Sequence, residues 1–222
     1  AAGGGQVGDT GIILAEVAPE RFEEFTVVDT KREQDKIIHF VPKGKVFPRQ
    51  ALSYILQVDT GKRKMAAANH TATHLLQAVL RKLVGTHLHQ AGSLVSTERL
   101  RFDFTHYEGL NDELLNKVET EVNRLLFAAL PVVTEETDYQ MAVNRGALAF
   151  FGEKYEQKVR MVQVGDVSLE LCGGTHVQNT SEILSFRIIS EGSVATGVRR
   201  IEAVTGWEAL TLASREKALI KE

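Results

Sequence analysis

Cysteine is nearly absent. One thiol, Cys172, in 222 residues excludes a disulfide framework and points to a reducing, cytoplasmic setting. Long apolar runs are missing too: the longest uncharged stretch of note, residues 125–133, is nine residues long and contains Pro131. A membrane-spanning helix needs about 20 such residues, so a soluble chain with no membrane partner is expected. No basic, apolar, small-residue leader opens the chain. Positive charge is not in excess either. Against 29 acidic residues, 26 basic ones leave a formal net charge of −3. A free-standing nucleic-acid binder is usually basic, so any such contact must come from a local patch or a tethered neighbour.

What is present is ordinary globular material, 43% hydrophobic and 25% charged. A chain of this size buries roughly 70% of its surface and needs no staple. It opens at Ala1 in a Gly-rich stretch rather than at Met, which fits a processed protein or a piece of a longer one.

The hydrophobic pattern changes period along the chain. Residues 12–17, 22–30, 36–41 and 53–59 are rich in Val, Ile, Phe and Thr and are bounded by Gly, Pro, Asp or Glu. Short strands of this kind tend to curl, so residues 1–60 are expected to form a small β-barrel. From Lys62 to Val84 the period becomes helical. Strands are expected over 86–95 and 99–104. A helix follows from the N-cap Asn111 to about Leu130, stopped by Pro131. A strand (132–137), a short helix (139–145) and strands over 158–164, 167–171, 183–190 and 198–205 come next, and Gly206 opens a last helix to Glu222. Strands and helices occupy separate stretches, so the class is α+β: an antiparallel sheet with flanking helices over 61–205, and a linker helix over 206–222.

Four residues carry chemistry by spacing. His70 and His74 lie one helical turn apart and share a face with Gln77 and Arg81, opposite Leu76, Val79, Leu80 and Leu83. Taken alone, such a pair fits a solvated polar face. Cys172 and His176 are also four apart, but Gly173 and Gly174 argue for a tight reversal with positive φ that brings sulfur and imidazole to one point. Three imidazoles and a thiolate are a set that zinc prefers. Four protein ligands lean structural, whereas a chain with its own core does not need a structural metal. Among the other histidines, His87 and His89 alternate in an expected strand and so share a face.

Glycines and arginines add weaker signals. Gly4-Gly5-Gln6 matches the tripeptide of peptide-release factors, but three residues are almost no warrant, and tight turns are the simpler account. Gln90-Ala91-Gly92-Ser93 interrupts a strand, where a glycine marks a bulge and an amide and a hydroxyl stand ready for a small polar ligand. Arg199 and Arg200 open a strand, one facing in and one out. The inner one needs an anionic partner.

Taken together, these segments resemble a known family. Asn69-His70-Thr71-Ala72-Thr73-His74, the run from Gly85 through Gln90 and Ser93 to Val95, Leu100 to Phe104, Phe151 to Tyr155, Leu171-Cys172-Gly173-Gly174-Thr175-His176 and Gly197 to Ala203 are similar in order to the editing domain of alanyl-tRNA synthetases. The run from Gly4 to Gly11 resembles the Gly-rich segment upstream of it, although Ala1-Ala2-Gly3 departs from that pattern. The resemblance implies Zn²⁺ on His70, His74, Cys172 and His176, with Gln90 in the editing pocket. It implies an aminoacyl-tRNA deacylase acting on the acceptor end of tRNA(Ala) carrying serine or glycine. Thr71, Gln90 and Ser93 are then candidates to bond the serine hydroxyl, with Gly92 and Arg199 lining the substrate. The aminoacylation and C-terminal domains of a parent synthetase would be partners, since no ATP-binding activation module fits in this chain. A free-standing trans-editing protein and a non-catalytic tRNA-binding module with structural zinc are the alternatives.

Overall fold

The computed structural model describes residues 5–34, 36–44, 46–149 and 156–219. The Phe151–Tyr155 motif, the first four residues of the Gly-rich opening, and residues 220–222, where the last helix is expected to end, lie outside them.

Twelve strands and four α-helices are described, and every strand ladder is antiparallel, in keeping with an α+β fold. The first strands are β1 (Gly11–Ala18), β2 (Arg21–Val27), β3 (Asp29–Glu33), β4 (Lys36–Phe40) and β5 (Ser53–Val58). They make a sheet ordered β2-β1-β5 and a separate β3-β4 hairpin. Among the described residues no ladder closes these into the expected barrel. The run over 22–30 is broken at Val28, whose N–H donates to Phe40 O (2.9 Å), so β3 turns away to pair with β4 alone. Among the described residues only Ile13, Ala15, Phe25 and Val27 are buried as a core here, and every residue of β5 is exposed.

Helix α1 (Thr60–Leu83) starts where Asp59 accepts from Lys62 N (3.0 Å) and ends with Arg81 and Lys82 in its last turn, favourable at both termini. It packs on a sheet ordered β11-β12-β7-β6, made of β6 (Gln90–Val95), β7 (Leu100–Thr105), β11 (Phe186–Ala195) and β12 (Val198–Thr205). Leu75, Leu76 and Leu80 of the helix meet Phe102, Phe104 and Ile201 of the sheet, all with no exposed surface. Asn69 pins the register of this contact, donating to Ser96 O (3.0 Å) and accepting from Thr205 Oγ1 (2.8 Å). Helix α2 (Asp112–Phe127) closes the core with Val118, Val122 and Leu126.

A third sheet, β10-β9-β8, comprises β8 (Val132–Asp138), β9 (Lys158–Val164) and β10 (Ser168–Leu171), with α3 (Tyr139–Asn144) on it. Helix α4 (Gly206–Leu219) follows β12 directly. Several boundaries depart from the sequence pattern. Residues 86–89 are not strand, so His87 and His89 do not share a strand face. The run from Ile183 begins as a 3-10 turn (Thr180–Ile183), and β11 starts only at Phe186. Helix α2 stops at Phe127 rather than near Leu130, because Ala129 adopts φ 51° before Pro131 is reached.

Candidate metal centre

Helix α1 carries His70 and His74 on one face, with ring centroids 5.4 Å apart. The face is not solvated: His70, His74 and Gln77 are 3%, 2% and 4% exposed. What covers it is the loop after β10. Cys172 Sγ lies 3.3 Å from His70 Nε2 and 3.4 Å from His176 Nε2, and one donor atom from each of the four residues falls within 4.8 Å of the others. Tetrahedral zinc with N and S ligands has ligand–ligand edges of about 3.3–3.6 Å. The donor set and its two Sγ–Nε2 edges therefore fit a metal ion of the zinc type.

Arg160 of β9 holds the loop in place, donating to Cys172 O (2.8 Å) and Gly174 O (2.5 Å). The two glycines do not act as the sequence suggested, since neither has positive φ. Gly174 is required by proximity: a Cβ there would sit 2.0 Å from His70 Cε1. At Gly173 a Cβ would meet nothing within 4 Å. The Gly174 N–H also points at Cys172 Sγ (3.5 Å), a donor suited to a thiolate.

Two of the three imidazoles have a hydrogen-bond partner on their Nδ1, and the third faces a carboxyl. His70 Nδ1 is 2.8 Å from Gln6 Oε1, His176 Nδ1 is 3.1 Å from Thr71 Oγ1, and His74 Nδ1 is 3.7 Å from Glu170 Oε2. The last contact is too long for a hydrogen bond, and among the described residues both atoms are buried without a hydrogen-bond partner. Such outer contacts orient metal-ligating histidines and fix their tautomers.

Burial sets the protonation. It lowers His70 to about 3 and His74 to about 4, and His176 well below its ordinary value, helped by the nearby Arg160 charge. All three rings are thus neutral at pH 7, with lone pairs free to ligate. Burial also raises the Glu170 carboxyl to about 7, against the pull of a hydrogen bond from Ser168 (2.8 Å).

Of the remaining sequence candidates, Thr71 touches the cluster through His176. Thr71 is fully buried, and its hydroxyl is engaged by His176 and by the Val177 N–H (3.3 Å). Gln90 donates to Ser93 Oγ (3.2 Å). The expected bulge is there, as the register slips between Gln90 and Gly92, which oppose Phe104 and Asp103 in turn. Arg199 faces the helix side of the sheet, two residues before buried Ile201, and forms a two-bond pair with Glu191 (2.6 Å each). Its anion is therefore internal. Arg200 points to the other face and pairs with Asp103. His87 Nε2 lies 3.3 Å from His106 Nδ1, away from the four ligands.

Sequence reasoning missed Gln6, Glu170, Arg160 and Thr175. Gln6 was within reach, in the Gly-rich opening, but nothing local links it to a helix 64 residues on.

Comparison with known proteins agrees with the sequence resemblance. The family described as "Threonyl and Alanyl tRNA synthetase second additional domain" matches residues 159–202. Alanine–tRNA ligase of Thermoanaerobacter sp. (strain X514) is 45% identical over 221 residues, 99% of this chain and 24% of that protein. The alanine–tRNA ligases of Fusobacterium nucleatum subsp. nucleatum (46% over 218 residues, 98% of this chain and 25% of that protein) and Alkaliphilus metalliredigens (49% over 220 residues, 99% and 24%) are similar to it in the same way. The chain spans about a quarter of the length of these curated relatives. By sequence, it is a relative of the segment of alanine–tRNA ligases that carries this second additional domain.

Proposed function

We propose that this chain hydrolyses the ester of tRNA(Ala) mischarged with serine or glycine, using Zn²⁺ held by His70, His74, Cys172 and His176. The observation that carries the reading is the closure of these four donors into one buried cluster, in a chain 45% identical to alanine–tRNA ligase. The chemical need is plain. Serine is alanine plus a hydroxyl, and a methyl-sized pocket rejects it only weakly, by about a hundredfold. Glycine lacks one methyl, worth about 1–3 kcal/mol. A second site must remove the errors.

We assign the activity to residues 61–205, with residues 1–60 as a flanking β unit and 206–222 as a linker helix. Zinc held by the four ligands would supply a Lewis acid beside the scissile ester. The protein's own groups do the rest. Gln90 and Ser93 are the candidates to bond the serine hydroxyl, so that alanine leaves them unpaired. Thr71 acts on the site through the His176 ring. Gly92 leaves room on the strand, and Arg199 stiffens that end of the sheet. Lys64, Arg160, Glu182 and the Asp9-paired Arg63 line a cavity of about 620 Å³ beside His176, and the Lys64 and Arg160 charges suit the phosphates of an RNA 3′ end. The other domains of a parent synthetase would present that end.

One observation favours a second reading. Four protein ligands are typical of a closed structural site, in which case the segment binds tRNA without cleaving it. Serine release from Ser-tRNA(Ala), with Ala-tRNA(Ala) alongside, separates the two. Selective release that disappears on chelation while the chain stays folded supports hydrolysis. No release from a folded, zinc-loaded chain refutes it for this segment, and unfolding on chelation marks the metal as structural.

A further inference from the structure

Gln6 stands in the Gly-rich segment before β1, far in sequence from both halves of the cluster, yet it touches both. Its Oε1 accepts from Thr175 N (2.9 Å) and lies 2.8 Å from His70 Nδ1, and its Nε2 donates to Thr175 Oγ1 (2.8 Å). The side chain is 5% exposed. A backbone N–H can only donate, so the Thr175 contact fixes which end of the amide is oxygen. An amide oxygen can only accept, so His70 must carry its proton on Nδ1. That leaves the lone pair on Nε2, the atom that faces Cys172 Sγ at 3.3 Å.

The segment is fitted for this contact and for little else. A Cβ at Gly5 would lie 2.4 Å from Ser93 O, and one at Gly8 would lie 2.1 Å from Thr30 O. Val7 N donates to Val95 O, and Val95 N donates to Gly5 O (2.9 Å each), which fastens the backbone on either side of Gln6 to the edge of β6. Asp9 is held by two bonds from Arg63 of α1 (2.8 and 2.6 Å).

We infer that Gln6 is a positioning residue for the metal centre. It selects the Nδ1–H tautomer of His70 and clamps the Cys172–His176 loop to α1 through Thr175. The segment around residues 5–9 is on this view part of the metal site rather than a lead-in to the first sheet. The inference rests on the metal reading of the four-residue cluster but not on ester hydrolysis, because its test needs no substrate.

The test uses the full chain. Zinc affinity is measured by chelator competition for the parent, Gln6→Leu and Gln6→Glu, with the visible spectrum of the Co²⁺-loaded forms alongside. Loss of the acceptor in Gln6→Leu should weaken zinc by about 10–100-fold and alter the Co²⁺ bands, the usual cost of losing such a contact. Gln6→Glu keeps the acceptor and should bind as the parent does. Equal affinity for Gln6→Leu and the parent would overturn the proposal, as would an equal loss in both variants. Should Gln6→Leu not fold, the ¹⁵N spectrum of the metal-free parent decides: His70 protonated on Nδ1 supports it, and on Nε2 refutes it. A failed deacylase assay beside a weakened Gln6→Leu would sink the hydrolytic reading alone.

Discussion

Two adjacent glycines show how sharply the centre discriminates between neighbouring positions. Gly174→Ala places a methyl 2.0 Å from the His70 ring, and over-packing of this kind costs about 1–3 kcal/mol. Gly173→Ala meets nothing within 4 Å and should be silent. Zinc content of the two purified variants checks this, with zinc deficient only in Gly174→Ala. The four residues of the candidate centre were legible as two pairs with a spacing of four, because ligand chemistry restricts residue types and helix geometry puts His70 and His74 on one face. Their outer partners were not. Gln6, Thr71 and Glu170 act through contacts between distant stretches, and a lone amide, hydroxyl or carboxylate carries no local signature. The buried rings also set a pH response. Exposed histidines titrate near 6.5, whereas His70 and His74 resist protonation until about 3 and 4. The unfolded chain therefore binds more protons below pH 6.5, and the metal-free fold should lose stability as pH falls from 6.5 towards 4. Glu170, raised from 4.5 to about 7, works the opposite way, but one carboxyl is outnumbered by three imidazoles. A lower denaturant midpoint at pH 5 than at pH 7 is the expected result.

Among the elements, regular periodicity was read well and terminations were not. Strands β9 and β12 match the residues expected of them, β1, β4 and β5 lie within one position, and the run expected over 22–30 is split between β2 and β3. The errors fall where a single residue's backbone decides. Helix α2 was expected to run to its proline, but Ala129 at φ 51° ends the helix first. A left-handed conformation costs a residue with a Cβ about 1–2 kcal/mol. Ala129→Gly should therefore stabilise the fold by about 1 kcal/mol, visible as a raised denaturant midpoint. Leu184, at φ 68° and ψ −57°, reverses the chain differently, in a γ-turn closed by Ser185 N donating to Ile183 O (2.9 Å), and the strand expected from Ile183 begins only after it. The barrel failed for a related reason. The alternation in residues 12–59 is real, but closure depends on which strand pairs with which, and the hairpin β3-β4 satisfies its own ladder.

Over the whole molecule, a net charge of −3 leaves little long-range pull on a polyanion. Cations gather locally instead, with Lys64 and Arg160 beside His176, while Arg63 of the same cavity is paired with Asp9 and Glu182 also lines it. Each phosphate neutralised on a single strand adds about −0.7 to the slope of log affinity against log salt. Lys64→Ala should flatten that slope for an RNA 3′ end without changing zinc content. The centre itself draws on residues that are 102 positions apart between His70 and Cys172, and 169 apart between Gln6 and Thr175. On a ribosome adding about 5–20 residues each second, the two histidines of α1 therefore emerge roughly 5–20 s before the thiol that completes their set. During that interval the nascent chain offers a bare pair of imidazoles, and only the arrival of β10 and its loop would turn them into the proposed receptor for one ion.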